Sequence, residues 1–199
     1  MKLNKSQIRL CEKMGYHFEN GNLLVSALTH SSLNSFDKHD NQRLEFLGDR
    51  VLALVVSEAL IEADPNAREG ELAPRLNGLV RKETCAEVAS MLGVGPALLI
   101  GRSEIISGGR SKPAILADAM EAIIAAVYLD GGFDSARQFV MHAWHAKIEI
   151  AAKNSFEAKS CLQEWAQARG MAPPDYLELE RVGPDHAPVF NIKVVLENG

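Results

Sequence analysis

The sequence predicts a mainly α fold: an all-helical unit over residues 1–152, then a small α+β tail over 153–199. Three observations carry this. Apolar residues recur at spacings of three and four through most of the first 150 positions, the period of a half-buried helix. Strict apolar/polar alternation appears only after Pro173-Pro174. The composition also turns polar between Lys153 and Glu157, which reads as a link between two units.

The elements follow in order. Leu23, Ala27 and Leu28 mark an early helix, and Leu44, Leu47, Val51, Leu54 and Val55 mark a second that Asp64-Pro65-Asn66 breaks. A more polar third helix is predicted over 69–92, followed by a loop from Gly93 to Pro96. A second loop, Gly101 to Pro113, contains Gly108-Gly109 and is expected to be mobile. Residues 114–129, AILADAMEAIIAAVYL, form a strongly apolar helix that Asp130-Gly131-Gly132 should stop. A last helix covers 134–151. In the tail, a short amphipathic helix over 159–170 precedes two alternating runs, Tyr176–Val182 and Val189–Val194, joined by the turn GPDHAP as a hairpin.

Bulk composition narrows the function classes. A hydrophobic content of 47% and a charged content of 24% are those of a globular protein with one good core. The greasiest windows, 51–56 and 122–129, are too short to cross a bilayer, and the start offers no apolar run for a secretory signal. Cys11, Cys85 and Cys161 are odd in number and far apart, which points to reduced thiols in a cytoplasmic protein. The formal charge is −5, with 16 Lys/Arg against 19 Asp/Glu in residues 1–150 and 5 against 7 in the tail. Any phosphate-binding surface must therefore be a local patch or borrow its positive charge from metal ions.

The acids themselves supply the chemical clue. Glu45 and Asp49 lie four apart in NQRLEFLGDR, just before the apolar run VLALVV, and Asp118 and Glu121 lie three apart in the greasy 114–129 segment. Helical spacings of four and three separate side chains by about 40° and about 60°, so each pair shares a face. A pair may be a solvated face or part of a site. Were all four to meet uncompensated, each contact at 4 Å would cost ~4 kcal/mol at an effective dielectric of 20. A divalent cation removes that cost, and an oxygen-only ligand set selects Mg²⁺ or Mn²⁺ over Zn²⁺.

These residues also carry a resemblance. RLEFLGDRVL resembles the signature segment of the ribonuclease III family, endonucleases of double-stranded RNA. ALTHSS at 27–32, EGELAPRLNGLVRKETCAEVA at 69–89 and ILADAMEAIIAAVYLDGG at 115–132 match that family in the right order. The tail from AKSCLQEWAQARG onward is similar to the start of its double-stranded-RNA-binding domain. The resemblance implies that Glu45, Asp118 and Glu121 are Mg²⁺ ligands (Mn²⁺ able to substitute), and that Asp49 and Glu121 are catalytic. Glu69 would be an additional acid at the edge of the site. It further implies a homodimer with Phe46 plugging into the partner. Products would carry 5′-phosphate and 3′-hydroxyl ends, and substrates would include ribosomal RNA precursors and some messengers.

By the same resemblance Ser160, Gln163, Gln167 and His186 contact RNA, whose duplex form is read by shape through 2′-hydroxyls and phosphates. Arg75, Arg81, Lys82, Arg102, Arg110 and Lys112 are candidate backbone contacts. Two departures stand out: Gln42 replaces a glutamate common in the family, and the tail lacks the third strand and basic second helix. An incomplete tail is expected to fold loosely and to bind RNA weakly. Two rival readings are a non-catalytic RNA-binding relative, which loss of any of the four acids would favour, and an HD-type phosphohydrolase built on His30, His39 and Asp40.

Overall fold

A computed structural model describes residues 3–33, 40–154, 159–182 and 189–196. The chain forms two compact units, Met1–Ala152 and Lys153–Gly199. In the first, α1 (Lys5–Met14) and α2 (Gly21–Ala27) lead to the long α3 (Gln42–Ala63). Then come α4 (Glu69–Val80), α5 (Lys82–Leu92), the short α6 (Val94–Ala97) and α7 (Arg102–Ile106), and α8 (Pro113–Asn154). The core gathers apolar residues chiefly from five of them: Leu10 and Met14 of α1, Leu24 and Leu28 at α2, Leu52, Val55 and Val56 of α3, Val88 and Leu92 of α5, and Met120, Ile123 and Ile124 of α8. Residues 115–127 are buried almost throughout, so the first half of α8 is the central rod that the other helices surround.

Three local differences from the sequence reading have physical causes. The helix expected over 69–92 is two helices, broken at Arg81 with extended backbone (φ −64°, ψ 157°). The carbonyls left open by the break find side-chain donors. Thr84 Oγ1 donates to Gly78 O at 2.7 Å, Cys85 Sγ to Val80 O at 3.5 Å, and buried Trp144 Nε1 to Leu79 O at 3.0 Å. The Gly93–Pro96 loop is largely the single turn α6. The Gly101–Pro113 segment is ordered as α7 and a 3₁₀ turn, Gly109–Ser111. Arg110 ties it down, donating through one guanidinium nitrogen to the carbonyls of Gly95, Pro96 and Leu98 at 2.8, 3.1 and 2.9 Å. The Asp130-Gly131-Gly132 stop is where the sequence places it: Gly132 takes non-helical backbone (φ +80°, ψ −177°), so the span labelled α8 is two helices that meet at a kink there. Asp130 also clamps the start of α2, accepting from Tyr16 Oη at 2.9 Å and from the amides of Glu19 and Asn20 at 2.9 and 2.8 Å.

The second unit contains α9 (Lys159–Gln167) and an antiparallel pair, β1 (Asp175–Val182) and β2 (Val189–Val195). The register runs from Asp175 opposite Val195 to Val182 opposite Val189, with an irregularity between Glu178 and Glu180. Leu177, Leu179, Phe190, Ile192 and Val194 remain exposed, so the two strands bury little apolar surface. Among the described residues no helix is long and apolar enough to cross a membrane.

Arg75, a candidate phosphate contact by sequence, is structural. Its guanidinium pairs with Asp64 at 3.0 Å, with only 8% and 9% of the two side chains exposed. Removing one partner of a buried pair leaves the other charge uncompensated, a cost of about 3–5 kcal/mol. Arg75→Ala should therefore lower unfolding free energy by about that amount in urea titration. Unchanged stability with weakened RNA binding would contradict this placement.

Candidate active site

The close approach of α3 and α8 sets the geometry. Gly48, buried one residue before Asp49, lies against the backbone of Glu121. A Cβ built on Gly48 would sit 1.7 Å from the Glu121 carbonyl oxygen and 2.5 Å from its carbon. No side chain fits there, so only glycine lets the two helices touch at this point. The contact places Glu45 and Asp49, flanking Gly48, beside Asp118 and Glu121. The four acids proposed from spacing thus form one electrostatic cluster.

For two of the four, burial and neighbouring charge together oppose ionisation. Glu121 is only 6% exposed. Burial pushes its carboxyl up to about 7, with the charges of Asp49, Glu45 and Asp118 adding in that order and Lys82 opposing them. Glu45 is also raised, first by burial and then by Asp118, again with Lys82 in opposition. The partial compensation is local: Lys82, at the start of α5, donates to Asp118 Oδ1 at 3.1 Å. That hydrogen bond and the charge of Asp118 raise the Lys82 ammonium in turn. The break at Arg81 is what delivers this lysine to the acids.

A groove of about 540 Å³ opens over the cluster, lined by Gln42, Glu45, Phe46, Asp49, Arg50, Val80, Arg81, Lys82 and Glu121. Gln42 thus sits on the rim as a neutral amide. Arg50 pairs with Asp49, and its guanidinium lies 4.7 Å from the centroid of the Phe46 ring. Phe46 itself is 66% exposed, unlike an aromatic of the core. Oxygen-only donors beneath an open groove, one pushed towards neutrality by burial and its acidic neighbours, are the donor type that a hard divalent cation takes. Among the described residues, no three His, Cys, Asp or Glu side chains are grouped so that they could hold a metal ion as they stand. The acids are gathered but not clamped.

The remaining sequence candidates fall elsewhere. Glu69 opens α4 as an exposed residue and does not line the groove. Arg110 is taken up by the carbonyls of Gly95, Pro96 and Leu98, and Lys112 by Glu104 at 2.5 Å. Arg102 is exposed, and Arg81 faces the groove with Glu83 3.8 Å away. Gln163 and Gln167 are exposed on α9; Ser160 lies on the same helix. His186 and His39 lie outside the described residues. His30, the other histidine of the phosphohydrolase reading, is engaged with Ser32 Oγ at 2.8 Å. Lys82 was read from sequence only as a backbone contact; its place against Asp118 had no signal, because the partner is 36 residues away.

Comparison with known proteins shows the family. The family model described as Ribonuclease-III-like matches residues 20–148, and the double-stranded RNA binding motif matches 158–199. Proteins named Ribonuclease 3 from Dinoroseobacter shibae and Rhodobacter capsulatus are each 56% identical over the whole chain, which spans 87% of each relative. A nuclease domain of ribonuclease III from Campylobacter jejuni superimposes with a TM-score of 0.68 at 38% identity, over 72% of this chain and 96% of that one. A second structure of that domain, with a TM-score of 0.67 and 39% identity over 70% and 96% of the two chains, is described for flexibility in the region involved in dimer formation.

Two outcomes follow from the packing and the charge. Gly48→Ala should force α3 from α8 and lower stability by about 1–3 kcal/mol or more, as read by denaturant midpoint; a neutral effect would refute the close contact. In chelator, ionising Glu121 should cost stability as pH rises from its ordinary value near 4.5 through about 7. Glu121→Gln should then be more stable than the natural chain by about 1–3 kcal/mol at pH 8 and barely different at pH 5. Thermal melts across that range check the sign.

Proposed function

The chain belongs to the ribonuclease III family, and from that premise we propose a metal-dependent reading of its double-stranded-RNA endonuclease activity. The observation that supports it best is the joining of Glu45, Asp49, Asp118 and Glu121 across the Gly48 contact. Glu45, Asp118 and Glu121 would hold Mg²⁺, with Mn²⁺ able to replace it. Bound there, a divalent ion lowers the pKa of the attacking water and neutralises charge on the phosphate being cut. Asp49 orients that water as an acceptor. Glu121, whose carboxyl is driven towards neutral pH by burial and its acidic neighbours, would be held ionised beside a divalent ion. Lys82, paired with Asp118 on the groove wall, would offer its ammonium to a phosphate oxygen. Arg81 and Arg50 line the same groove and are placed to steady the RNA backbone. Products would carry 5′-phosphate and 3′-hydroxyl ends.

The same reading extends to partners. Phe46, exposed at the lip of the groove with Arg50 against its ring, is the side chain we assign to the partner of a homodimer. Gln163 and Gln167, exposed on α9, are suited to the 2′-hydroxyls of a duplex, with Ser160 and His186 assigned beside them. Cys11 and Cys85 are free buried thiols, which fits work in the cytoplasm. Ribosomal RNA precursors and some messengers are the proposed substrates.

The direct assay uses long duplex RNA, single-stranded RNA and duplex DNA, each with Mg²⁺ or with chelator. Only duplex RNA with Mg²⁺ should be cut. Glu121→Gln should reduce cleavage by at least about 1,000-fold, the scale on which loss of one charge-stabilising group is felt, while duplex binding persists. Activity in chelator, or equal cutting of all three nucleic acids, would exclude the mechanism.

A further inference from the structure

A second groove, of about 410 Å³, lies between α1 and the α5–α6 turn, lined by Lys5, Ser6, Arg9, Leu10, Lys13, Leu92, Gly93 and Pro96. Lys5, Arg9 and Lys13 follow one another at four-residue spacing, so the three cations run along one face of α1 beside the groove. All three are exposed. Among the described residues, seven other basic residues of this unit are in ion pairs: Arg50 with Asp49, Arg75 with Asp64, Arg81 with Glu83, Lys82 with Asp118, Lys112 with Glu104, Arg137 with Glu58 and Glu62, and Lys147 with Glu87. Among the described residues neither Lys5 nor Arg9 has an ion-pair partner. Lys13 reaches only a carbonyl, that of Met91, at 3.5 Å.

We infer that this groove is a second phosphate-binding surface, a track for the backbone of duplex RNA outside the catalytic groove. The inference rests on duplex RNA being the ligand of the chain. Three uncompensated cations in a row are unusual in a protein of formal charge −5, and they match the regular negative charge of a nucleic-acid strand. The carbonyl end of α5 opposes an anion here, but it carries only about half an elementary charge against three whole ones.

The placement along α5 strengthens the case. Arg81 and Lys82, at one end, line the catalytic groove, whereas Leu92 and Gly93, at the other, line this one. One rigid helix therefore separates the two by about 15 Å. That is the span of only a few base pairs, within reach of any duplex long enough to be held while it is cut. The deep, narrow major groove of duplex RNA keeps base edges from side chains, so the contact would position RNA without selecting sequence.

The test uses the full chain. Lys5→Gln, Arg9→Gln and Lys13→Gln are combined, and a Lys5→Gln/Arg9→Gln double variant keeps the Lys13 contact with α5. Binding to a duplex of about 30 base pairs is followed by anisotropy in the Glu121→Gln background over a range of salt concentrations. The triple variant should bind about ten-fold more weakly near physiological salt. Its slope of log affinity against log salt should be shallower by about 2, with the double variant intermediate. In the cleavage-competent chain, KM should rise while kcat at saturation stays unchanged. An unaltered salt slope in a variant with the natural melting temperature overturns the inference. So does loss of binding to phosphatidylglycerol vesicles with RNA binding intact. If the natural chain itself neither binds nor cuts duplex RNA, the functional reading fails first; if it does both and the variants match it, only this surface is lost.

Discussion

The contact between Gly48 and the Glu121 carbonyl is the constraint on which the active site depends. Two helices normally pack with axes 8–10 Å apart, kept there by side chains. Removing the side chain at one crossing point brings the faces together, and the acids adjoining that point come with them. The same contact creates the electrostatic problem it positions. Glu121, buried under the crossing, cannot ionise freely beside three other carboxylates. The core of α8 holds it there regardless, since Met120, Ala122 and Ile123 on either side are fully buried. Packing energy distributed over that rod offsets a local repulsion that no isolated helix could sustain.

Lys82 shows how the rest of the fold serves this site. It reaches Asp118 only because the chain stops being helical at Arg81, and that break persists because its open carbonyls are met from elsewhere. Thr84 and Cys85 do so from the next turn, and Trp144 from the far half of α8. Trp144 is fully buried, so its single N–H is both a core anchor and the acceptor's only escape from an unpaired state. A tryptophan remote from the groove thus fixes the direction in which a groove-lining lysine leaves the backbone.

Charge is divided along similar lines. The chain is acidic overall, yet its cations are not spread evenly. Arg75 and Arg110 are used internally, one in a buried pair and one as a cap for three carbonyls. Arg50, Arg81 and Lys82 gather around the acids, and Lys5, Arg9 and Lys13 stand along the α1 groove. An acidic enzyme for a polyanion needs this economy, because positive charge spent on folding is not available to the substrate.

Much of this was written into the sequence. Helical periodicity gave the long elements, alternation gave the hairpin, and the two acid pairs announced themselves by sitting on apolar helices. These features depend on neighbours within a turn or two, which is the range over which a linear pattern carries information. What it could not carry was the partner of a residue far along the chain. RVGPDHAPV and GGRSK both looked like loops, yet Arg110 makes an ordered turn of the second by reaching back to Gly95. Arg75 looked like any surface cation until Asp64 was found buried against it. Tertiary structure alone decided that Glu45 and Asp49 meet Asp118 and Glu121, because the deciding atom is a hydrogen on Gly48 where any other residue would place carbon.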